Sequence, residues 1–416
     1  MVTAALPKLE DSHHPEDLEL TLLQVVHRHG ERTPVRKRLV QLFPAVWNVC
    51  DANGHMFATI MSLSQDLKDV VPLQRLVETQ AKDKTRTTIA PGACYYGQLT
   101  NIGRTNMAKL GARLREIYVD KLHFLPEVFE DKTIYIRSTD YTRTQESVQQ
   151  LVASGLYPPN HRPENFTLKI RTRDPRVDNL FPNPNCYRLR QLAKDFHKQV
   201  SEMCADQFKS LSKRLNKYVD EVSLESHPSA NGILDTLASA KAHGFDLPSD
   251  IDEETLRDLE DVVVKEWFYG TQSSQEVRRL GLGAIMGDIR DRMVQRADGS
   301  DKNTDDHEHK LAIYSGHDTT VAPLLIILGG FNNRWPPFCS AILFELYKGK
   351  SKSWNPLKKT EHYVRVRYNE KVLELPGCAG QGEHYDGDKS LCTLEAFKKI
   401  VKEQIPDDWE DECKAV

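Results

Sequence analysis

The sequence predicts an α/β fold with a central, mostly parallel sheet that is flanked by helices and carries an inserted all-helical cap subdomain. Two observations support this prediction. Three short apolar runs of strand character each end in a group of polar residues: Leu20–Val26, Thr133–Ile136 and Leu311–Tyr314. Residues 186–268, in contrast, contain amphipathic stripes at helical spacing and no strand pattern.

The predicted organisation is an α/β core that is interrupted by a helical segment. Residues 1–180 and 270–416 form the core, and residues 181–269 form the helical subdomain. Within the core, residues 36–96 are a long insertion that follows the polar residues at the end of the first strand, near the expected active site. Apolar residues at helical spacing predict a helix in this insertion: Leu39, Leu42, Phe43, Val46 and Trp47.

The other elements follow from capping residues and from apolar spacing. Thr100 can cap a helix that carries Leu110, Leu114 and Ile117. The helical subdomain has three stripes, at Leu192–Leu215, Gly232–Gly244 and Leu256–Trp267. The remainder should contain a helix at Glu276–Arg296, a polar loop at Asp298–Lys310, a strand at Ala341–Tyr347 and a hairpin at Tyr363–Leu375.

The composition indicates a globular chain and argues against a nucleic-acid-binding protein. Its 416 residues contain 56 Lys and Arg against 60 Asp and Glu, which gives a formal net charge of −4. A nucleic-acid-binding surface usually needs a basic excess. The longest apolar run, from Val321 to Phe331, contains Pro323 and two glycines and is too short to predict a membrane span.

The first predicted strand ends in a motif that suits phosphate chemistry, Arg28-His29-Gly30-Glu31-Arg32-Thr33-Pro34. Two guanidinium groups flank an imidazole, and arginine can grip phosphate oxygens with two parallel hydrogen bonds. Gly30 allows the tight turn or close backbone approach that such a pocket requires. Because an imidazole beside a phosphoryl group can attack the phosphorus, the motif predicts a phosphohistidine mechanism.

Two further motifs follow the other predicted strands. Arg137-Ser138-Thr139-Asp140 and Gly316-His317-Asp318-Thr319-Thr320 each begin where an apolar run ends. In open α/β sheets, ligands bind at the edge where the carboxyl ends of the strands meet. The basic side chains that we expect to meet there, in one anion site, are Arg28, Arg32, Arg137, His29 and His317.

These three motifs, in this order, resemble those of the histidine acid phosphatases, the second branch of the histidine phosphatase superfamily. The resemblance extends over nearly the whole chain, through Gly97-Gln98-Leu99-Thr100, Trp335-Pro336-Pro337-Phe338, Leu375-Pro376-Gly377-Cys378 and Ile405-Pro406-Asp407-Asp408-Trp409. Within the family, the chain is most similar to lysophosphatidic acid phosphatases and prostatic-type acid phosphatases. The resemblance implies an acid phosphatase that hydrolyses small phosphate monoesters without a cofactor.

The resemblance also implies a role for each residue of the site. His29 is the nucleophile, and its other ring nitrogen should hold a proton against a backbone carbonyl. Asp318 is the proton donor to the leaving group, and such general-acid help is typically worth about 10² to 10⁴ in rate. The residues implied to bind phosphate are Arg28, Arg32, Arg137 and His317.

The chain has eight cysteines, and the resemblance implies how some of them pair. It suggests Cys186 with Cys413 and Cys378 with Cys392. It also suggests Cys204 with Cys339, although Cys339 lies outside the usual register. Cys50 and Cys94 would then be left as a fourth pair outside the family pattern. The alternative is that buried cysteines remain free, as they often do in protein cores.

Neither metal binding nor a targeting signal is predicted. His13-His14 and His307-x-His309 lie in polar, acidic stretches without cysteine partners, which does not favour a metal site. Residues 1–19 lack the apolar stretch of a secretory signal. The even number of cysteines and a glycosylation sequon at Asn165 nevertheless favour a secreted or lysosomal (in some organisms vacuolar) protein.

The sequence leaves more than one candidate for the substrate and for the activity. Lysophosphatidic acid is one candidate substrate, and phytate, which phytases of the same family hydrolyse, is the other. A phosphotransferase similar to phosphoglycerate mutase shares Arg-His-Gly but lacks the following Arg-x-Pro and the His-Asp pair. An inactive phosphoryl-binding protein is disfavoured, because every implied catalytic residue is present. The sequence makes no prediction about the oligomeric state.

Overall fold

The structure is a computed structural model, and it describes residues 15, 17–61, 67–80, 87–89, 92–300, 309–349, 361–369 and 371–414. Its strands are β1 (Leu18–Arg28), β2 (His55–Met61), β3 (Leu67–Gln74), β4 (Glu78–Gln80), β5 (Thr87–Ile89), β6 (Ile134–Ser138), β7 (Leu311–Gly316), β8 (Ala341–Gly349), β9 (His362–Tyr368), β10 (Lys371–Leu373), β11 (His384–Tyr385) and β12 (Asp388–Thr393).

The α-helices are α1 (Asn101–Arg115), α2 (Thr142–Gln149), α3 (Tyr187–Met203), α4 (Ala205–Arg214), α5 (Ala230–Ala242), α6 (Glu253–Ser273), α7 (Gln275–Arg278), α8 (Ala284–Asp298), α9 (Asp318–Ile327), α10 (Leu394–Lys402) and α11 (Trp409–Glu412). Three π-helical turns continue α1, α2 and α7, at Glu116–Lys121, Gln150–Leu156 and Arg279–Gly283. Most of the predicted elements are therefore present, within a few residues of their expected bounds.

A mixed eight-stranded sheet forms the centre of the α/β core. Its order is β11-β12-β9-β8-β1-β7-β6, and β10 pairs with β9 outside this path. The strands β6, β7 and β1 are parallel, whereas the strands from β8 to β12 pair in antiparallel fashion. The predicted α/β class is confirmed, and the parallel part consists of the three strands that carry the motifs.

Helices cover both faces of this sheet, and β1 contributes side chains to each layer. Leu22 and Val26 pack with α8, α9 and α10 on one face, whereas Leu23 and Val25 pack with α1 and α2 on the other. Successive side chains of a strand point to opposite faces, so an uninterrupted apolar run is typical of a strand that is buried on both faces. Each fully buried Leu or Val contributes about 1.5–3 kcal/mol to stability.

The part between residues 181 and 269 contains helices α3 to α5, most of α6 and no strand among its residues, all of which the structure describes. Their apolar faces form a separate cluster around Val200, Leu211, Leu237 and Leu259. The predicted stripe over Leu192–Leu215 is divided at Cys204, where α3 ends and α4 begins. This helical content agrees with the predicted subdomain, whose division from the core stays a prediction.

The helix predicted for the insertion at residues 36–96 is wrong. Leu39, Phe43 and Trp47 are buried against the helical cluster, but they lie on irregular backbone. Leu39 has a φ of 48°, in the left-handed region, and Pro44 disfavours helical backbone at the residue before it. The insertion instead contains the two hairpins β2–β3 and β4–β5, which its apolar spacing did not predict.

Three disulfides are present, and they confirm three of the predicted pairs. Cys186–Cys413, Cys378–Cys392 and Cys50–Cys94 have Cα–Cα distances of 4.6, 5.4 and 5.3 Å. The predicted pair Cys204–Cys339 is wrong, since both residues are free and buried. They belong to different clusters: Cys204 lies in the core of the helical region, and Cys339 packs in the sheet layer of α1 and α2.

In the part of the chain that the structure describes, no helix is both long enough and apolar enough to cross a membrane.

Candidate active site

The three sequence motifs meet at one edge of the sheet. Strand β7 pairs in parallel with both β1 and β6, so that Arg28 lies opposite Gly316 and Ser138 lies opposite Ser315. Backbone hydrogen bonds continue the contact past the strand ends, and His29 N donates to the Gly316 carbonyl at 3.1 Å. The site therefore depends on parallel pairing between strands that are far apart in sequence.

His29 is buried, at 1% exposure, with one ring nitrogen fixed. Its Nδ1 lies 2.9 Å from the carbonyl oxygen of Gly30, and because a carbonyl only accepts, Nδ1 carries the proton. This leaves Nε2 as the unprotonated nitrogen. The pKa of His29 lies well below its usual value. Burial is the largest cause, and the charges of Arg143, Arg28 and Arg32 add to it.

Gly30 is required by the close packing behind His29. A Cβ atom at this position would lie 2.6 Å from the carbonyl oxygen of Gly103 on α1, which is closer than van der Waals contact allows. The Gly30 N–H also donates to Ser147 Oγ on α2 at 3.0 Å. The predicted close backbone approach is therefore present, and it packs the backbone beside His29 against the first turn of α1 and against the second turn of α2.

Arg28 and Arg32 are both buried, and each is held by a carboxylate at one nitrogen. Arg28 Nη2 pairs with Asp318 Oδ2 at 2.7 Å, and its Nη1 donates to the Pro336 carbonyl. Arg32 Nη1 pairs with Asp235 Oδ1 at 2.7 Å. The Nε atoms of both arginines are buried and have no partner within the described residues. Both guanidinium groups thus retain donors for a bound anion.

Arg143, on the first turn of α2, is a site residue that the sequence motifs did not identify. Among the charged groups, Arg143 has the largest effect on the pKa of His29 and on that of His317, and it lowers both. Its guanidinium stacks on the ring of Tyr141 at 4.7 Å, and that ring is 5.1 Å from the His317 ring. Burial and the neighbouring Arg32 lower the pKa of Arg143 to about 10. The sequence did contain a signal for this residue, since Arg143 lies in the first turn of the helix that follows β6.

Arg137, in contrast, does not join the arginines around His29. It is buried on β6, and its Nη1 pairs with Asp288 Oδ2 at 3.0 Å, while Nη2 donates to Asn179 Oδ1. Its guanidinium lies 5.6 Å from the Tyr314 ring, on the sheet face that α8 covers. Alternate residues of a strand point to opposite faces, which is why the last residues of β6 do not all reach the same pocket.

His317 and Asp318 complete the site at the start of α9. His317 Nε2 is 3.0 Å from Thr139 Oγ1, and the two rings of His29 and His317 are 5.7 Å apart. Burial and the charge of Arg143 lower the pKa of His317 to about 3. Burial alone would raise the pKa of Asp318, but the charges of Arg28 and Arg32 outweigh it and lower the pKa.

A cavity of about 210 Å³ borders Arg28, Arg32 and Asp318. Most of its other lining residues are apolar: Val35, Leu234, Leu237, Ala238, Leu256, Trp267, Trp335, Pro336, Pro337 and Phe338. The cations that line it already pair with carboxylates, including Lys241, whose Nζ is 2.5 Å from Glu253. The cavity joins a polar, cationic end to a largely apolar wall, which α5, α6 and the segment at Trp335–Phe338 contribute.

The histidine pairs considered for metal binding do not assemble a site in the described residues. His13, His14 and His307 lie outside the described residues. His309 is buried, and its ring packs against Tyr135 at 5.8 Å. Within the described ranges, no group of His, Cys, Asp and Glu is arranged to hold a metal ion.

The sequence matches that of known proteins over almost its full length. Residues 19–369 match the profile of the histidine phosphatase superfamily (branch 2). A protein of Schizosaccharomyces pombe named "Probable acid phosphatase" is 34% identical, and the alignment covers 100% of this chain and 99% of that one. Human lysophosphatidic acid phosphatase type 6 is 28% identical over 94% of this chain and 86% of its own length.

The fold also matches solved structures. The phytase from Citrobacter braakii superimposes with a TM-score of 0.60, over 96% of this chain and 100% of the phytase, at 16% identity. At that identity the match shows the shared fold alone. With the profile match and the relatives at higher identity, however, the assignment is clear: the chain belongs to the histidine phosphatase superfamily (branch 2) and is an enzyme of its acid phosphatase class.

Proposed function

We propose that the chain hydrolyses phosphate monoesters through a phosphohistidine on His29. The observation that carries the proposal is the arrangement of His29 itself. Its Nδ1 proton is held by the Gly30 carbonyl, so that Nε2 is free to attack, and its lowered pKa keeps it neutral in acid. The surrounding donors of Arg28, Arg32 and Arg143 suit the oxygens of a phosphoryl group.

The reaction would proceed in two displacements. In the first, the lone pair of His29 Nε2 forms a bond to phosphorus while the bond to the ester oxygen breaks, and Asp318 gives its proton to that oxygen. In the second, water attacks the phosphohistidine, the P–N bond breaks, and the Asp318 carboxylate takes a proton from the water. The guanidinium groups and His317 hold the phosphoryl oxygens in both steps. We assign the third guanidinium to Arg143 rather than to Arg137.

The protonation of Asp318 depends on the substrate. In the free site, burial raises the pKa of Asp318, but the charges of Arg28, with which it pairs, and of Arg32 together outweigh burial and lower that pKa. A bound phosphate group offsets the charge of Arg28 and removes this stabilisation of the carboxylate. Below a pH of about 6, a phosphate monoester also carries a proton of its own, which can pass to Asp318. Both effects favour activity in acid.

The cavity beside the site supports lysophosphatidic acid over phytate as a substrate. An apolar wall can accept a hydrocarbon chain attached to the leaving group, and burial of such a chain contributes about 0.8 kcal/mol per CH₂. Phytate places further phosphate groups around its ring, and these need cations that are not already paired. Arg28, Arg32 and Lys241 all pair with carboxylates here. Phytate is therefore the second candidate.

A substrate panel tests this proposal. Release of inorganic phosphate at pH 5 from nitrophenyl phosphate, lysophosphatidate and phytate should be fastest for one of the first two. The variant His29→Ala should abolish release and also the phosphoenzyme that can be trapped by rapid quenching and detected as base-stable protein-bound phosphate. Substantial activity of His29→Ala would exclude His29 as the nucleophile. Transfer of phosphate between glycerate esters without net release would indicate a mutase-like activity instead.

The location that fits this activity is secreted, or lysosomal or vacuolar. Disulfides persist in oxidising compartments, so the three that are present are compatible with a location outside the cytosol. Asn165 of the glycosylation sequon is exposed and is accessible for modification. A decrease in mass after treatment of the native protein with an N-glycosidase would support this location, and an unchanged mass would remove the sequon as an argument for it.

A further inference from the structure

A carboxylate from the helical region reaches the motif that carries His29. Asp235 lies on α5, and its side chain is only 10% exposed. Its Oδ1 accepts from Arg32 Nη1 at 2.7 Å, and its Oδ2 accepts from the backbone N–H of Val35 at 2.9 Å. Both carboxylate oxygens thus accept hydrogen bonds from residues 32–35, shortly after the nucleophile. None of the roles assigned above uses Asp235.

This contact determines which edge of Arg32 is available. Arg32 Nη1 donates both to Asp235 and to the carbonyl of Thr33, at 3.0 Å for the latter. Nε, in contrast, is buried without a partner in the described residues. With Nη1 held on the protein side, the edge formed by Nε and Nη2 is the one left for an anion. That edge offers two parallel donors in one plane, which suits two oxygens of a phosphoryl group.

Arg38 joins α5 to the same segment at a further point. Its Nη1 lies 3.5 Å from Asp235 Oδ2. Its guanidinium crosses α5 at Gly232, where an added Cβ atom would come within 2.7 Å of Arg38 Nε. Asp235 therefore bridges the helical region and residues 32–38 of the core, with its charge balanced by Arg32 and Arg38. Its oxygens are committed to these donors.

We infer that Asp235 is a positioning residue for phosphoryl transfer, acting through Arg32. By holding Nη1, it turns the free edge of Arg32 towards the phosphoryl group before the substrate binds. The inference rests on the proposed function of the His29 site. The negative charge of Asp235 also disfavours a nearby anion, but Arg38 offsets this effect. The loss of positioning should matter more, because a misplacement of about 1 Å in a catalytic group can reduce the rate by about 10²-fold.

Two substitutions of Asp235 in the full-length chain separate orientation from charge. Asp235→Ala removes both, and it should lower kcat/KM for nitrophenyl phosphate by about 10²-fold. Asp235→Asn removes the charge but keeps an oxygen for Arg32 Nη1, so its loss should be clearly smaller. Asp258→Asn removes a carboxylate of α6 that pairs with Arg214 on α4, and it serves as the matched control that should leave kcat/KM unchanged.

A double-variant cycle shows whether Asp235 acts through Arg32. In the Arg32→Ala background, adding Asp235→Ala should lower kcat/KM by less than about threefold, because the group that it positions is already absent. A merely structural role would reduce activity in both backgrounds and would lower the thermal unfolding midpoint in both. If Asp235→Ala does not fold, Asp235→Asn in the same two backgrounds gives the same comparison.

Three results would overturn the inference: unchanged kcat/KM in Asp235→Ala, equal losses in the Ala and Asn variants, or an undiminished loss in the Arg32→Ala background. Failure of the proposed function has a different signature, since the unmodified protein would then release no phosphate. Calorimetric binding of inorganic phosphate tests Asp235 in that case as well. Asp235→Ala should weaken this binding only while Arg32 is present, and equal weakening without Arg32 would contradict the inference.

Discussion

At the scale of single residues, the main consequence of the structure is that the two histidines of the site stay neutral in acid. An ordinary imidazole, with a pKa of about 6.5, is largely protonated at pH 5 and cannot act as a nucleophile. Burial and then the charges of Arg143, Arg28 and Arg32 lower the pKa of His29 well below that value. The arginines that we propose to bind phosphate would thus also keep the proposed nucleophile, His29, unprotonated at low pH.

The role of Asp318 predicts a dependence on the leaving group. Asp318→Asn should slow hydrolysis of an alkyl phosphate by about 10² to 10⁴, because an alkoxide leaves poorly without a proton. Hydrolysis of nitrophenyl phosphate, whose phenolate is a good leaving group, should slow much less. Steady-state rates on both substrates at pH 5 provide the measurement. Equal losses on both substrates would contradict the assignment of Asp318 as proton donor.

Arg143 and Arg137 form a matched pair of variants that separates binding from folding. Arg143→Ala should reduce kcat by about 10²- to 10³-fold, the usual effect of removing one donor to transition-state charge. Arg137→Ala should instead lower the free energy of unfolding by about 1–3 kcal/mol, because it removes the donor to Asn179 Oδ1 and one of the donors to Asp288. Measurements of kcat and of urea unfolding on both variants test which arginine acts in catalysis. A larger loss of kcat in Arg137→Ala than in Arg143→Ala would reverse our assignment.

At the scale of elements, the strand ends and helix starts position the site more than the loops do. His29 follows β1 directly, Asp318 is the first residue of α9, and Arg143 lies on the first turn of α2. The positive end of the α9 dipole favours the carboxylate of Asp318, in the same direction as Arg28. Residues on such elements are held by the packed core, which keeps their geometry constant.

Helix α6 contains a group that makes stability depend on pH. Burial, and then the nearby Glu225, raise the pKa of Glu266 to about 7, and its Oε2 is buried without a partner in the described residues. A raised pKa stabilises the fold below the unfolded value of about 4.5, and this contribution is lost as the pH rises through about 7. Glu266→Gln should therefore raise the free energy of unfolding by about 1–3 kcal/mol at pH 8.

The effect of Glu266→Gln should vanish at pH 4, where both the wild-type side chain and its replacement are neutral. Glu202→Gln, at an exposed position of α3, is the control and should change stability little at either pH. Urea unfolding at both pH values measures the difference. A gain of equal size at pH 4 and pH 8 would show that the carboxylate charge is not the cause.

At the scale of the whole molecule, buried neutral histidines should make the fold less stable in acid. Burial lowers the pKa of His27 to about 4 and that of His317 to about 3. The unfolded chain takes up these protons below a pH of about 6.5, so the free energy of unfolding should fall by about 1.4 kcal/mol per pH unit for each such group. His27→Leu should flatten this decrease between pH 6.5 and 4.5, as measured by urea unfolding. An unchanged slope would contradict the lowered pKa.

Much of the fold could be predicted because its signals are local. The apolar run before His29, the cap at Thr100 and the left-handed Gly244 each specify a nearby backbone conformation, and all three are present. The helix predicted around Phe43 was wrong because burial against another cluster, rather than a helical face, places its apolar residues inside. Apolar spacing records which side chains are buried and does not record what buries them.

The sequence by itself determined the family and the three strand-end motifs, and it pointed to the histidine that we propose as the nucleophile, since these depend on residues close together in the chain. Only the tertiary structure decided that Arg143 rather than Arg137 lies beside His29, that Cys204 and Cys339 stay apart, and that Asp235 reaches Arg32. The physical reason is that the direction of a side chain depends on strand pairing and helix packing. Those contacts join residues far apart in the chain, and no local pattern specifies them.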